Sequence, residues 1–160
     1  MSTQLRRTAA LVALTVAPLV ALGTTSAFAA SAHFIRTPTD SATTTTNSVT
    51  LSASFKAAGL GNAPTATFSL FATATGTFGC FTKSGNHPQA SNKEGPVQIT
   101  GTTTVDVRNG STSGTVTATL GTSLTCPGGQ HSQVISYSFT NVTLNGPQGL
   151  TASLNDVTSS

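Results

Sequence analysis

Few side chains in this 160-residue sequence can do acid–base or metal chemistry. They are His33, His87 and His131, the single glutamate Glu94, and Asp40, Asp106 and Asp156. Serine is plentiful, so a Ser-His-Asp triad is available by composition, yet no serine stands in a Gly-x-Ser-x-Gly elbow. Glycoside hydrolysis needs two carboxyl groups facing one bond, and here one Glu and three widely separated Asp must supply them. No catalytic residue is assigned. The two cysteines, Cys80 and Cys126, read as one disulfide if the chain reaches an oxidising compartment. Two free thiols or a metal site is the rival reading, but isolated cysteines lack zinc-ligand spacing.

That disulfide would draw the loop carrying His87 and Glu94 toward the loop carrying His131. Two imidazoles and a carboxylate suit zinc or copper, and the competing reading is three solvated loop residues. The same two loops supply the candidate binding residues: Lys83, Asn86, His87, Asn92 and Lys93 on the first, Gln130 and His131 on the second. No cofactor is expected.

Strands must position these loops. Val49, Leu51, Ala53 and Phe55 alternate with polar residues. From Ala66 to Cys80 the even positions are apolar or small and most odd positions are Thr or Ser, with Phe71 the exception. A period of two marks strands with one face buried, and it aims Cys80 inward, as an inter-sheet disulfide requires. Residues 82–96 read as a long polar loop. Val97, Ile99, Val105 and Val107 then alternate up to Asn109-Gly110, a favoured two-residue hairpin turn, with Val116, Ala118 and Leu120 on the return strand. That hairpin would set Val105 opposite Gly114 and Ile99 opposite Leu120. Ile135, Tyr137 and Phe139 share one face of a later strand, and a phase change at Thr140-Asn141 predicts a bulge. Leu150, Ala152 and Leu154 form the last strand. The expectation is an all-β, immunoglobulin-like sandwich of about seven or eight strands with one disulfide; the alternative is a small β-barrel.

Residues 1–30 read as a signal peptide. Arg6-Arg7 precede an apolar run and then small residues, with cleavage expected near Ala29 or Ala30. A membrane anchor is the rival, but the run falls short of a comfortable span. General secretion is preferred to the twin-arginine route, because apolar residues do not follow the arginine pair. Residues 31–47 are then an extended lead-in and 48–156 the sandwich domain, with no further membrane span. After processing, Arg36, Lys56, Lys83, Lys93 and Arg108 face Asp40, Glu94, Asp106 and Asp156, a net charge of +1. A nucleic-acid partner needs a cationic face, and none is expected here. Sugar platforms stack rings on exposed aromatics, whereas this chain has no Trp and one Tyr. Tyr137 reads as core, and Phe71 and Phe81 are the better exposed candidates.

The chain resembles a group of small secreted actinobacterial proteins of uncharacterised function. The likeness rests on four stretches: Ala58-Gly59-Leu60-Gly61; Cys80 with Gly85-Asn86, Pro88, Ala90 and Asn92-Lys93; Cys126-Pro127-Gly128-Gly129-Gln130; and Tyr137 with Asn141-Val142-Thr143-Leu144. It spans residues 49–154 and departs at Thr82 and Ser84, where the group has Asn and Gly. It implies a secreted β-rich domain and no activity. A looser similarity, through Asn145-Gly146-Pro147 to Leu154, is to the apoproteins of enediyne antibiotics, which usually carry two disulfides. The expected function is a secreted, non-enzymatic binding protein of unknown ligand, with association to the cell envelope as one form of it. The alternatives are a carrier of a small apolar ligand, and a small extracellular hydrolase or protease inhibitor.

Overall fold

The computed structural model describes residues 31–85 and 90–159. The signal peptide reading and the candidates Asn86 and His87 lie outside the described residues. Among the described residues nine strands run in the order β1 (His33–Phe34), β2 (Thr39–Thr44), β3 (Ser48–Ala58), β4 (Thr65–Thr82), β5 (Ala90–Asp106), β6 (Thr112–Gly121), β7 (Gln130–Asn145), β8 (Thr151–Ser153) and β9 (Val157–Ser159). One short 3-10 turn, Pro147–Gly149, joins β7 to β8. In the four-stranded sheet β3 pairs with β1 and β2 along one edge and with β6 along the other. The five-stranded sheet runs β5-β4-β7, with β8 and β9 both pairing β7. The two sheets pack as a β-sandwich. The strand after β4 lies beside it, as C′ lies beside C in variable-type immunoglobulin domains.

The alternation read from the sequence selects the core. Val49, Leu51, Ala53 and Phe55 of β3 and Phe68, Leu70, Ala72, Ala74 and Phe78 of β4 are all buried. Phe55 and Phe68 stack across the two sheets with ring centroids 3.9 Å apart, so large side chains fill the interior there. Outward positions of the four-stranded sheet form three rows of hydroxyls in register: Thr39–Ser54–Thr115, Ser41–Ser52–Thr117 and Thr43–Thr50–Thr119. Within these rows Thr50 and Thr119 hydroxyls meet at 2.9 Å and Ser54 and Thr115 at 3.0 Å. The lead-in is part of the sheet: Thr39–Thr44 pairs with Val49–Ser54.

The expected hairpin fails as a ladder. Asn109 and Gly110 do take positive φ, 51° and 71°, and Arg108 and Ser111 exchange two backbone hydrogen bonds. Beyond that bridge the strands part: β5 pairs β4 in one sheet and β6 pairs β3 in the other. Both flanking strands offer deep apolar partners, Phe68 and Leu70 for β5 and Leu51 and Ala53 for β6. Each strand thus joins a different sheet and sets its inward residues beside that sheet's core. The turn is a corner between sheets. At this corner β5 and β6 still pass side by side, and glycines make room: a Cβ on Gly101 would fall on the Thr117 carbonyl, and one on Gly114 would press on Val105 and Phe55.

Three further expectations change. The polar loop ends earlier than read, because β5 begins at Ala90. Ile135 is exposed, since β7 slips by one residue between Ser136 and Val134 and leaves it unpaired; Val134 takes the inward position. The chain also continues past Leu154 into β9. The bulge predicted at Thr140-Asn141 is present, with Asn141 at φ 53° and a register shift beside it.

Candidate functional site

One end of the sandwich gathers three connections: the β2–β3 turn, the chain after β4, and the crossover from β6 to β7. Cys80, the last fully buried inward residue of β4, bonds Cys126 in that crossover, with Cα atoms 5.5 Å apart. The bond therefore fastens a connecting segment to a strand end, and does not join the two sheets strand to strand as expected from the sequence.

Glu94 fastens the same crossover by other means. The register of β5 against β4 shifts between Ala74 and Gly76, where Gly95-Pro96 forms a bulge with Gly95 at φ 86°. Pro and a positive-φ Gly are tolerated in an edge strand at such a bulge. The extra residue turns Asn92 and Glu94 inward, opposite Phe78 and Gly76. Gly76 has no side chain, and a Cβ there would meet Leu120. Leu120 nests over it and brings the residues after β6 within reach. Glu94 Oε1 accepts hydrogen bonds from the Thr122 hydroxyl at 2.8 Å, Asn92 Nδ2 at 2.8 Å, the Ser123 amide at 3.1 Å and the Ser123 hydroxyl at 3.3 Å. From the other sheet the Thr122 amide of the crossover donates to the Asn47 carbonyl, and the Ser132 hydroxyl, at the start of β7, donates to the Thr46 carbonyl.

The Thr122 hydroxyl and the Ser123 amide hold the Glu94 carboxyl below its ordinary value of 4.5. A carboxyl with a lowered folded pKa adds stability at pH above its unfolded value, and that stability is lost as acid protonates the folded form. The oxidised protein is therefore expected to lose urea resistance as pH falls below the ordinary glutamate range. Glu94→Gln should lower the urea midpoint at pH 7 and flatten this acid dependence. Its amide exchange should quicken at Ser123 and Leu124. An unchanged acid limb in Glu94→Gln would assign the dependence to other carboxylates.

The sequence-selected residues divide between the two faces of the five-stranded sheet. Lys93 pairs with Thr77 and His131 with Phe81, all on the outer face. His131 Nε2 lies 3.0 Å from Gln133 Nε2. Asn92, Glu94 and Gln130 face inward, and Gln130 Oε1 is buried without a hydrogen-bond partner. Lys83 is exposed in the turn after β4. Glu94 and His131 thus sit on opposite faces, and with Oε1 committed to four donors Glu94 works as a clamp. His87, the third member of the postulated metal trio, lies outside the described residues, and among the described residues no group of three His, Cys, Asp or Glu could hold an ion. Gly95-Pro96 inside an alternating stretch was the available sign of the bulge that turns Glu94 inward. Phe71 and Ile135 add apolar area to the outer face at 38% exposure each.

No helix among the described residues is long and apolar enough to cross a membrane. Comparison with protein-family models, with curated proteins and with solved structures found no match to this chain.

Proposed function

We propose that this chain is exported, loses residues 1–30, and acts as a non-enzymatic binding protein that presents its disulfide end to an extracellular or envelope partner. The observation that carries the reading is the double fastening of the β6–β7 crossover, by Cys80–Cys126 and by Glu94, beside side chains that packing does not use. Ordering a loop before it meets its partner removes a large part of the cost of binding. Lys83 and His131 then supply charge and hydrogen bonds next to Phe81, with Lys93 further along the same outer face. The basic, apolar and small-residue order of the N-terminus supports export, and so does a disulfide. The likeness to small secreted proteins, through Cys80 and Cys126-Pro127-Gly128-Gly129-Gln130, agrees with both.

The rival readings have less support. A carrier of an apolar ligand needs a cleft between the sheets, and Phe55 and Phe68 stack there. A triad hydrolase needs a histidine against a serine hydroxyl, and among the described residues His33 contacts the Ser31 carbonyl and His131 contacts Gln133.

The test is sedimentation of the oxidised protein with envelope fragments from its source cells. Lys83→Ala/Lys93→Ala/His131→Ala is expected to weaken cosedimentation about tenfold, as loss of two or three interface contacts does, with the melting temperature unchanged. Cosedimentation equal to the unsubstituted protein would overturn the assignment of this end.

A further inference from the structure

We propose that the outer face of the four-stranded sheet, at the end opposite the disulfide, binds an acidic glycan. This inference is independent of the disulfide-end reading and uses none of its residues. Three of the five cations after residue 30 gather here. Lys56 stands outward on β3. Together with Asp106, Arg108 and Ser113 it lines one open groove of about 350 Å³. With Arg36 and Thr39 it lines a second groove of about 260 Å³ on its other side. Lys56 is the shared wall, so Arg36, Lys56 and Arg108 form a row across the sheet, with Asp106 the carboxylate in that row.

The row caps the three rows of hydroxyls, which hold no charged and no aromatic side chain. Neighbouring strands are about 4.8 Å apart and alternate residues roughly 6.7 Å apart, so the hydroxyls form a grid on the scale of sugar hydroxyls along a chain. Each hydroxyl offers one donor and two acceptor lone pairs, and the Thr50–Thr119 and Ser54–Thr115 pairs use only part of that capacity. Thr methyl groups between the hydroxyls give apolar contact to sugar C–H groups. Without an aromatic platform a neutral sugar gains little. Cations at the end of the grid supply the missing attraction for a carboxylate- or sulfate-bearing chain. A bare polyanion would use the cations and leave the grid idle, so the two features together select acidic polysaccharide over nucleic acid or polyphosphate.

Affinity electrophoresis of the purified oxidised protein tests this, with polygalacturonate, a sulfated galactan, dextran or polyphosphate in the gel. Retardation is expected with at least one of the two acidic glycans and not with dextran. Three ion contacts should give a salt slope of roughly −2, by analogy with single-stranded polyanions. Arg36→Ala/Lys56→Ala/Arg108→Ala should weaken retardation at least about tenfold. Ser52→Ala/Thr117→Val should weaken it about threefold, and Lys83→Ala/Lys93→Ala should leave it unchanged. Melting curves confirm folding, and Lys56→Glu is the second variant should the triple not fold. The proposal is overturned by no retardation in either acidic glycan, by retardation that survives loss of the cations, or by equal retardation in polyphosphate with no effect of Ser52→Ala/Thr117→Val.

Discussion

Cys80→Ala/Cys126→Ala is expected to lose about 4 kcal/mol of stability and to melt roughly 15 °C lower than the oxidised protein. The bond spans 46 residues, and a loop of that length restricts the unfolded chain substantially in the chain-entropy account. The loss should fall mainly on unfolding cooperativity at the disulfide end. There the crossover would be left, among the described residues, with its hydrogen bonds to Glu94 and the Asn47 carbonyl and the packing of Leu124 on the core. Thermal melts of oxidised, reduced and doubly substituted protein measure it. A double variant that melts within about 3 °C of the oxidised protein, equivalent to under 1 kcal/mol, would mean that the hydrogen bonds alone hold the crossover. The order of loss is also informative: Glu94→Gln should destabilise the reduced protein more than the oxidised one, since the two fastenings act on one segment.

Gly101→Ala is expected to cost about 3 kcal/mol or more, despite alanine's better fit to a strand. The added methyl would coincide with the Thr117 carbonyl oxygen. That oxygen belongs to the backbone of β6, which is held by its ladder to β3 and cannot swing aside. Gly114→Ala provides the internal comparison. Its methyl meets Val105 Cγ1 at 2.9 Å and Phe55 Cζ at 3.2 Å, side-chain atoms that can rotate, so a cost of about 1 kcal/mol is expected. Urea unfolding of both variants checks the pair. If Gly101→Ala were no more costly than Gly114→Ala, the close passage of β5 and β6 at the corner would be wrong. The sandwich would then have to open there.

Much of the core was legible in the sequence. Val49 to Phe55, Ala66 to Cys80 and Val116 to Leu120 face inward as their alternation required, because a strand's side chains have no choice but to alternate. The turn at Asn109-Gly110 was legible because two adjacent positive φ angles favour those residue types, and the bulge at Asn141 because the phase of the apolar residues breaks there. The partner of each strand was not legible. A strand offers the same donors and acceptors on both edges, and Val97 to Val107 could satisfy them with β6 or with β4. The site was read less completely. Cys80 and Cys126 were evident, whereas the role of Glu94 depends on a one-residue shift at Gly95-Pro96 that turns the carboxylate inward.

By itself, the amino-acid sequence determined that this is a two-faced β protein: which residues go in, which stay out, where the chain turns, and which two sulfurs are available to pair. Only the tertiary structure decided that β5 and β6 part into different sheets, that Glu94 clamps the crossover, and that Arg36, Lys56 and Arg108 share one row. The first set follows from the local period of two, which each strand carries within itself. The second follows from the burial of Phe55 against Phe68 and Leu120 over Gly76, contacts between segments far apart in the chain that no local pattern encodes.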